Sequence, residues 1–196
     1  MKSNMALPKD KIDSFIKADV YRVLSKGFSY PDDKNIYEMK SIIEELTSFT
    51  HLKQNLYNYL EKILSTSEIK ELQRDYSRLF LKGRVPICES SYSLNFDEVS
   101  NVTTFYKAFG LSPKSGDLPD SLPYELEFAS ILSLKSALAQ NEDNEGIAKD
   151  AFKKFLREHL VEFVKKFSDK VEKAEPNLFY KTIAELLKNS VERDMM

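Results

Sequence analysis

Acidic and aromatic side chains are concentrated in two segments of the sequence, residues 83–92 and 113–128. The acidic members are Glu89, Asp117, Asp120, Glu125 and Glu127, and the aromatic members are Tyr92, Tyr124 and Phe128. A surface with carboxylates at its edge and aromatic rings at its base suits a basic, partly apolar peptide better than a phosphate group. The two segments therefore predict a peptide-binding groove. A second interpretation stays open, in which Asp120 and Glu125 only cap or pack the following helix and favour its N-terminal dipole.

Motifs typical of an enzyme active site are missing from the sequence. It contains neither a GxxxxGK[ST] loop nor a GxGxxG loop, the two common backbone cradles for phosphate, and no HExxH. Di-iron bundles use Glu-x-x-His pairs, but Ser48 and Leu156 stand three residues before the two histidines. Two histidines and one cysteine also offer few ligands for zinc or an iron–sulfur cluster. The sequence thus predicts no catalytic residues and no metal site.

His159 and Cys88 are the two remaining side chains with chemical potential. His159 shares an apolar helical face with Phe152, Phe155 and Phe163, which predicts a core histidine bonded to a neighbouring carbonyl. Cys88 is expected to be a small hydrophobe rather than a nucleophile. Neither residue is predicted to carry a reaction.

The elements that must position these segments carry a 3.6-residue period, which is typical of amphipathic helices. Predicted helices fall at about 12–28, 36–46, 52–64, 69–80, 95–109, 120–140, 147–167 and 176–190. Gly27 and the segment before Pro31 end the first helix, Gly110 ends the fifth, and Asn95 with Glu98 resembles a capping pair. Residues 192–196 are expected to fray.

The fold is predicted to be all-α, a single-domain bundle of about eight or nine helices over residues 1–196. No alternating strand pattern and no internal repeat occurs in the sequence. Its composition, 42% hydrophobic with a net charge of −2, is that of an ordinary globular domain and argues against a nucleic-acid binder. One cysteine excludes an internal disulfide, and no apolar run is long enough to span a bilayer. The N-terminus lacks the apolar core of a secretory signal, so an intracellular protein without membrane insertion is expected.

The second acidic segment also resembles a known family. Its run Pro119-Asp120-Ser121-Leu122-x-x-Glu125-Leu126-Glu127-Phe128 is similar to the P-D-H-L-x-x-E-L-E-F-M signature of the TorD/DmsD/NarJ family of molybdoenzyme maturation chaperones. Further matches are 76–80 to Y-x-x-L-F, 86–92 to P-x-x-E-S-x-Y, 106–111 to Y-x-x-F-G-L and 155–160 to F-L-x-x-H-L. Their order and spacing agree over about residues 15–187. Ser121 replaces the family histidine and Ala129 the family methionine.

The resemblance implies an all-helical cytoplasmic chaperone rather than an enzyme. Such a protein binds the leader, often a twin-arginine signal, of the catalytic subunit of a molybdenum or tungsten oxidoreductase. It holds that subunit back from export until the molybdopterin cofactor, which belongs to the client, has been inserted; the chaperone itself holds no tightly bound cofactor. The groove and the resemblance together predict leader contacts at Tyr76, Phe80, Glu89, Ser90, Tyr92, Asp120, Ser121, Leu122, Glu125, Glu127 and Phe128.

Two other functions stay open at this point. One is a nucleotide-dependent switch, which would be expected to carry the phosphate loop that the sequence lacks. The other is a helical regulator that binds a partner unrelated to redox enzymes. A monomer and a homodimer with exchanged helices are both compatible with the sequence pattern.

Overall fold

Helices account for nearly all of the regular structure. The computed structural model describes residues 8–49, 52–94 and 97–196. The α-helices are α1 (Lys9–Phe28), α2 (Asp33–Ser48), α3 (Gln54–Ser65), α4 (Ile69–Tyr76), α5 (Glu98–Ala108), α6 (Leu122–Leu138), α7 (Glu142–Phe155), α8 (Val161–Lys173) and α9 (Leu178–Met195). Two π-helical turns, Ser77–Leu81 and Leu156–Leu160, extend α4 and join α7 to α8, and Glu89–Ser91 forms a 3₁₀ turn.

The helix ends follow the local chemistry of the sequence. α1 ends at Phe28, three residues before Pro31, and the Asp32 carboxylate then caps α2 by accepting a hydrogen bond from the Asn35 amide at 2.7 Å. Gly110 has a φ of +77°, the left-handed conformation that ends α5 and that glycine adopts without strain. The predicted ends of these two helices are confirmed. Asn95, the predicted cap of α5, lies outside the described residues.

The core is one continuous hydrophobic cluster to which almost every helix contributes. α6 packs lengthwise against α1, and α7 packs on α6; α2 lies along α1 and α3, while α9 packs against α3 and α8. Gly27 of α1 faces Ile183 of α9 so closely that a Cβ at position 27 would clash with Ile183 Cδ1. A glycine at position 27 therefore permits the close approach of the two helices.

The predicted fold class is confirmed. If α7, the π turn and α8 are taken as one continuous run, the described ranges contain eight α-helices, and nine if they are counted separately. Within these ranges the structure contains one isolated bridge and no strand. No helix of the described residues has the length and the apolar character needed to cross a membrane.

Three sequence-based boundaries are wrong, and one of them is the helix end predicted at 167, because α8 continues to Lys173. The helix predicted from 147 begins at Glu142, because the Asn141 side chain caps it at the Asn144 amide and Gly146 is tolerated inside it. The C-terminus does not fray at 192: α9 runs to Met195, and the Asp194 carboxylate is held by Arg193 at 3.1 Å and by Lys17 at 3.5 Å. The Lys17 contact has no sequence signal, since Lys17 is far away in the chain.

Asn177→Ala is expected to destabilise the protein by about 1 kcal/mol, the usual cost of losing an N-cap. The Asn177 side chain accepts a hydrogen bond from the Tyr180 amide at 3.0 Å at the start of α9, which is buried on one face. Chemical denaturation with far-UV circular dichroism measures the change. Asn101→Ala, at an exposed position inside α5, is the control, and a loss as large in that variant would contradict a specific capping role.

Candidate functional site

An antiparallel bridge joins the two acidic segments. The Glu89 amide donates to the Asp120 carbonyl and the Leu122 amide to the Ile87 carbonyl, both at 2.8 Å, on either side of the Cys88–Ser121 pair. The Asp120 side chain then accepts from the Ser90 amide at 3.2 Å. The bridge therefore fixes the 3₁₀ turn at Glu89 against the first turn of α6.

Four carboxyl groups and one imidazole lie behind this bridge. We call Glu89, Glu98, Asp120, Glu125 and His159 the buried acidic cluster: Glu89 is 5% exposed, Asp120 and His159 are 4%, Glu125 is 0%, and Glu98 is half-buried. His159 Nδ1 lies 2.9 Å from Glu89 Oε2. The histidine is thus in the core as predicted, but its partner is a carboxylate from a distant segment and not a neighbouring carbonyl.

Glu125 is the member of the cluster whose charged form costs the most free energy to bury. Both of its carboxylate oxygens are buried and receive no hydrogen bond from the residues that the structure describes. Burial, and then the nearby carboxyl groups of Glu89 and Asp120, raise the pKa of Glu125 well above its usual range. Burial therefore favours the neutral form of Glu125, in which it can donate a hydrogen bond to Glu89.

The environment also sets the protonation of Glu89 and Cys88. Burial raises the pKa of Glu89, while the hydrogen bond from His159 opposes that rise. Burial and the adjacent Asp120 carboxylate raise the pKa of the free thiol of Cys88 to about 12. Cys88 is therefore a protonated thiol at neutral pH, which makes it a poor nucleophile.

A groove of about 440 Å³ opens on the outer side of the first turns of α6. Its lining includes Tyr106, Asp117, Ser121, Tyr124, Glu127 and Phe128, and we call it the α6 groove. Asp117 and Glu127 are exposed and Tyr124 is half-buried. Tyr106 closes the inner wall, where its hydroxyl donates to the Pro119 carbonyl at 2.7 Å. The α6 groove thus combines carboxylates at its rim with aromatic rings below them.

The predicted leader contacts fall into three places. Ser121, Glu127 and Phe128 line the α6 groove; Glu89, Asp120 and Glu125 form part of the buried acidic cluster. The others lie outside both, with Tyr76, Phe80 and Leu122 buried in the core, Ser90 exposed on the 3₁₀ turn, and Tyr92 half-buried.

Tyr76 and Phe80, which precede the first acidic segment, and Tyr92 within it face the core and α8 rather than the α6 groove. Phe80 stacks on Phe167 with 6.0 Å between ring centroids and meets the edge of Tyr76 at 5.0 Å. Tyr92 packs on Phe163 at 5.2 Å beneath the Lys170 ammonium. These rings hold the 83–92 segment in place, so their direct contact with a leader stays a prediction.

A family model described as "Nitrate reductase delta subunit" matches residues 44–169, which is more than half of the chain. The chain belongs to this family. The match confirms the resemblance to the TorD/DmsD/NarJ chaperones, and it includes both acidic segments and the His159 region. A search of curated proteins gave no match.

The family signature maps onto the border between the α6 groove and the buried acidic cluster. Ser121, which replaces the family histidine, is half-buried in the groove wall and belongs to the bridge with Cys88. Glu125 and Glu127 of the E-L-E-F run point to opposite sides, one into the cluster and the other to the groove rim. An ordinary helical spacing of two residues separates these sides, since it turns the chain by about 200°.

Tyr106 and Glu98 were not predicted as members of the site, and the predicted partner of His159, a neighbouring carbonyl, is wrong. Tyr106 had a signal, because the Y-x-x-F-G-L match includes it. Glu98 was interpreted only as a helix cap. Its proximity to His159 depends on the packing of α5 against the α7–α8 run, which no local pattern encodes.

Proposed function

We propose that this chain is a maturation chaperone for the catalytic subunit of a molybdenum or tungsten oxidoreductase. It binds the subunit's leader peptide, often with a twin-arginine motif, and keeps the subunit in the cytoplasm until its cofactor is inserted. It catalyses no reaction and holds no molybdopterin of its own. The membership in the nitrate reductase delta subunit family supports this class of partner.

The α6 groove is the observation that carries the leader-binding part of the proposal. Its exposed carboxylates, Asp117 and Glu127, suit arginine side chains, and the ring of Tyr124 suits the apolar part of a leader or a stacked guanidinium. Lys114 also lines the groove, so the lining carries a net negative charge of one. The Asp120 carboxylate lies just behind Ser121 and adds to the negative potential.

The volume of the α6 groove fits the same role. At about 440 Å³ it falls in the range of roughly 300–1,000 Å³ that is usual for ligand sites. Ser25 of α1 and Ser29, which directly follows α1, form the wall opposite α6, and the Ser25 hydroxyl donates to the Pro123 carbonyl at 2.8 Å. The groove is therefore built between two helices that the core holds rigidly, which favours binding without a large rearrangement.

Affinity capture of the tagged chain from its native host, followed by mass spectrometry, tests the proposal. We expect recovery of a molybdoenzyme catalytic subunit whose leader is uncut. A synthetic peptide of that leader should then bind the purified chain, and a peptide with its arginines changed to glutamine should bind more weakly. Recovery of unrelated proteins alone, from cells that express molybdoenzymes, would contradict the proposal.

A further inference from the structure

Three side chains of the buried acidic cluster bring atoms that can bind a metal ion close together. One oxygen each of Glu89 and Glu98 and one ring nitrogen of His159 all lie within 4.8 Å of each other. Around a four-coordinate divalent ion with ligand distances of about 2.0–2.2 Å, two ligand atoms lie roughly 3.3–3.6 Å apart. Side-chain shifts of about 1 Å would therefore close these three ligands on one ion.

Glu125 gives a second and independent indication of a ligand. It is fully buried beside Glu89, and in its charged form neither of its oxygens receives a hydrogen bond from a donor among the described residues. An uncompensated buried carboxylate is costly, and buried charges in proteins are usually paired or coordinate a metal. A cation between Glu89 and Glu98 would lie next to the Glu125 carboxylate and could take it as a fourth ligand.

The fold holds these ligands from four separate elements. Glu89 lies on the 3₁₀ turn, Glu98 begins α5, Glu125 lies in the first turn of α6, and His159 lies in the π turn between α7 and α8. π turns inside α-helices are rare and occur often at functional sites. This one places the His159 ring against Phe155 at 5.1 Å between centroids.

A hydrogen bond to one ligand and an opening to solvent are two further features that are typical of a metal site. The Ser93 hydroxyl donates to Glu98 Oε1 at 2.6 Å, a contact of the kind that orients ligating carboxylates. An opening of about 390 Å³, lined by Glu98, His159, Asn101 and Thr104 among others, connects the cluster with solvent. An ion could therefore enter without unfolding of the core.

We propose that the chain binds one divalent transition-metal ion through Glu89, Glu98 and His159, with Glu125 as the additional carboxylate. One nitrogen and two or three carboxylate oxygens suit zinc, manganese or ferrous iron, and the set contains no thiolate. The sequence predicts no metal site, because it contains few histidines and cysteines and because packing alone brings the carboxylates together. The metal site does not depend on leader binding, which uses the opposite face of α6.

Zinc titration of the purified full-length chain tests the metal site. After treatment with a chelator and its removal, the chain is dialysed against buffered free Zn²⁺, and bound zinc is measured by elemental analysis. We expect one equivalent per chain, and an affinity at least 10-fold lower for Glu98→Gln, whose half-buried position tolerates the change. Glu158→Gln is the matched control, because Glu158 lines the same opening beside His159 without belonging to the ligand set.

Two results of this zinc titration would contradict the proposal. Absence of saturable zinc binding by the wild-type chain contradicts it, and so does equal affinity in Glu98→Gln and Glu158→Gln. Circular dichroism of each variant shows whether the fold is kept. The visible absorption spectrum of the wild-type chain loaded with Co²⁺ tests the site without any variant. The spectrum of a four- or five-coordinate ion supports the site, and the spectrum of the hydrated ion contradicts it.

Discussion

Replacement of Asp117 and Glu127 together by lysine is expected to weaken leader binding by roughly 30-fold. Exposed ion pairs contribute about 0.2–1 kcal/mol each, and reversal of both charges replaces two attractions with two repulsions, a total of about 2 kcal/mol. Since about 1.4 kcal/mol corresponds to a factor of ten, the affinity should fall by roughly that amount. Fluorescence anisotropy with a labelled leader peptide measures it, and the loss should shrink as the salt concentration rises.

The fold should survive this double replacement. Both side chains are exposed, and their described contacts are local or weak: Asp117 accepts from the Lys114 amide at 2.7 Å, and Glu127 lies 3.5 Å from the Ser25 hydroxyl. Charge reversal at Asp120 or Glu125, which the sequence alone would recommend, is a poor test. Both residues are buried, so a lysine at either position would unfold the chain instead of probing the groove.

The matched control is a second acidic pair on the other side of the protein. Asp169 and Glu172 are exposed on α8 and line a separate groove of about 380 Å³ between α8 and α9. Asp169→Lys with Glu172→Lys changes the net charge by the same amount. An equal loss of affinity in both double variants would show that total charge attracts the leader, and it would contradict binding in the α6 groove.

Local rules of the sequence predicted most of the fold. A helix stripe, a capping side chain and a terminating glycine all act within a few residues, so the ends of α1 and α5 could be predicted from neighbours in the chain. The errors had two causes: the local cap at Asn141 was overlooked, and elsewhere a distant contact decides. The last turn of α9 is ordered because Asp194 meets Lys17 of α1, a pair separated by nearly the whole chain.

The candidate site could be predicted only in part, for the same reason. The composition of segments 83–92 and 113–128 predicted that they act together, and the bridge between Cys88 and Ser121 brings them together. The sequence could not show which acids face water. Glu125 and Glu127 have the same charge and lie two residues apart, yet one is fully buried and the other exposed, because only one of them faces α5 and the π turn.

Glu125→Gln is expected to stabilise the metal-free protein at neutral pH. The substitution keeps the shape of the side chain and removes a carboxyl group that no described donor satisfies. At neutral pH the carboxyl group must either be buried with its charge or take up a proton on folding, whereas an amide does neither and still donates to Glu89; this relief contributes about 1–3 kcal/mol. For a chain of this size each kcal/mol raises the Tm by about 2–4 °C, so an increase of roughly 2–12 °C is expected in thermal unfolding with a chelator present.

The pH dependence separates this effect from ordinary repacking. The pKa of Glu125 is raised in the folded chain by burial and by Glu89, Asp120 and Glu98, so the folded state keeps a proton that the unfolded state releases. The stability that this proton supplies is present below the unfolded pKa and is lost as the pH rises through the folded pKa. The wild-type Tm should therefore fall with rising pH above about pH 5, and the fall should be smaller in Glu125→Gln.

Glu127→Gln, on the same helix but exposed, is the control and should leave both the Tm and its pH slope nearly unchanged. A lower Tm for Glu125→Gln would mean that the folded protein satisfies the Glu125 carboxylate, as it would if His159 shared its charge with both carboxylates. The same two variants also connect stability with metal binding. If zinc binds at the cluster, its addition should raise the wild-type Tm more than that of Glu125→Gln, because the ion replaces the proton as the partner of the buried carboxylates.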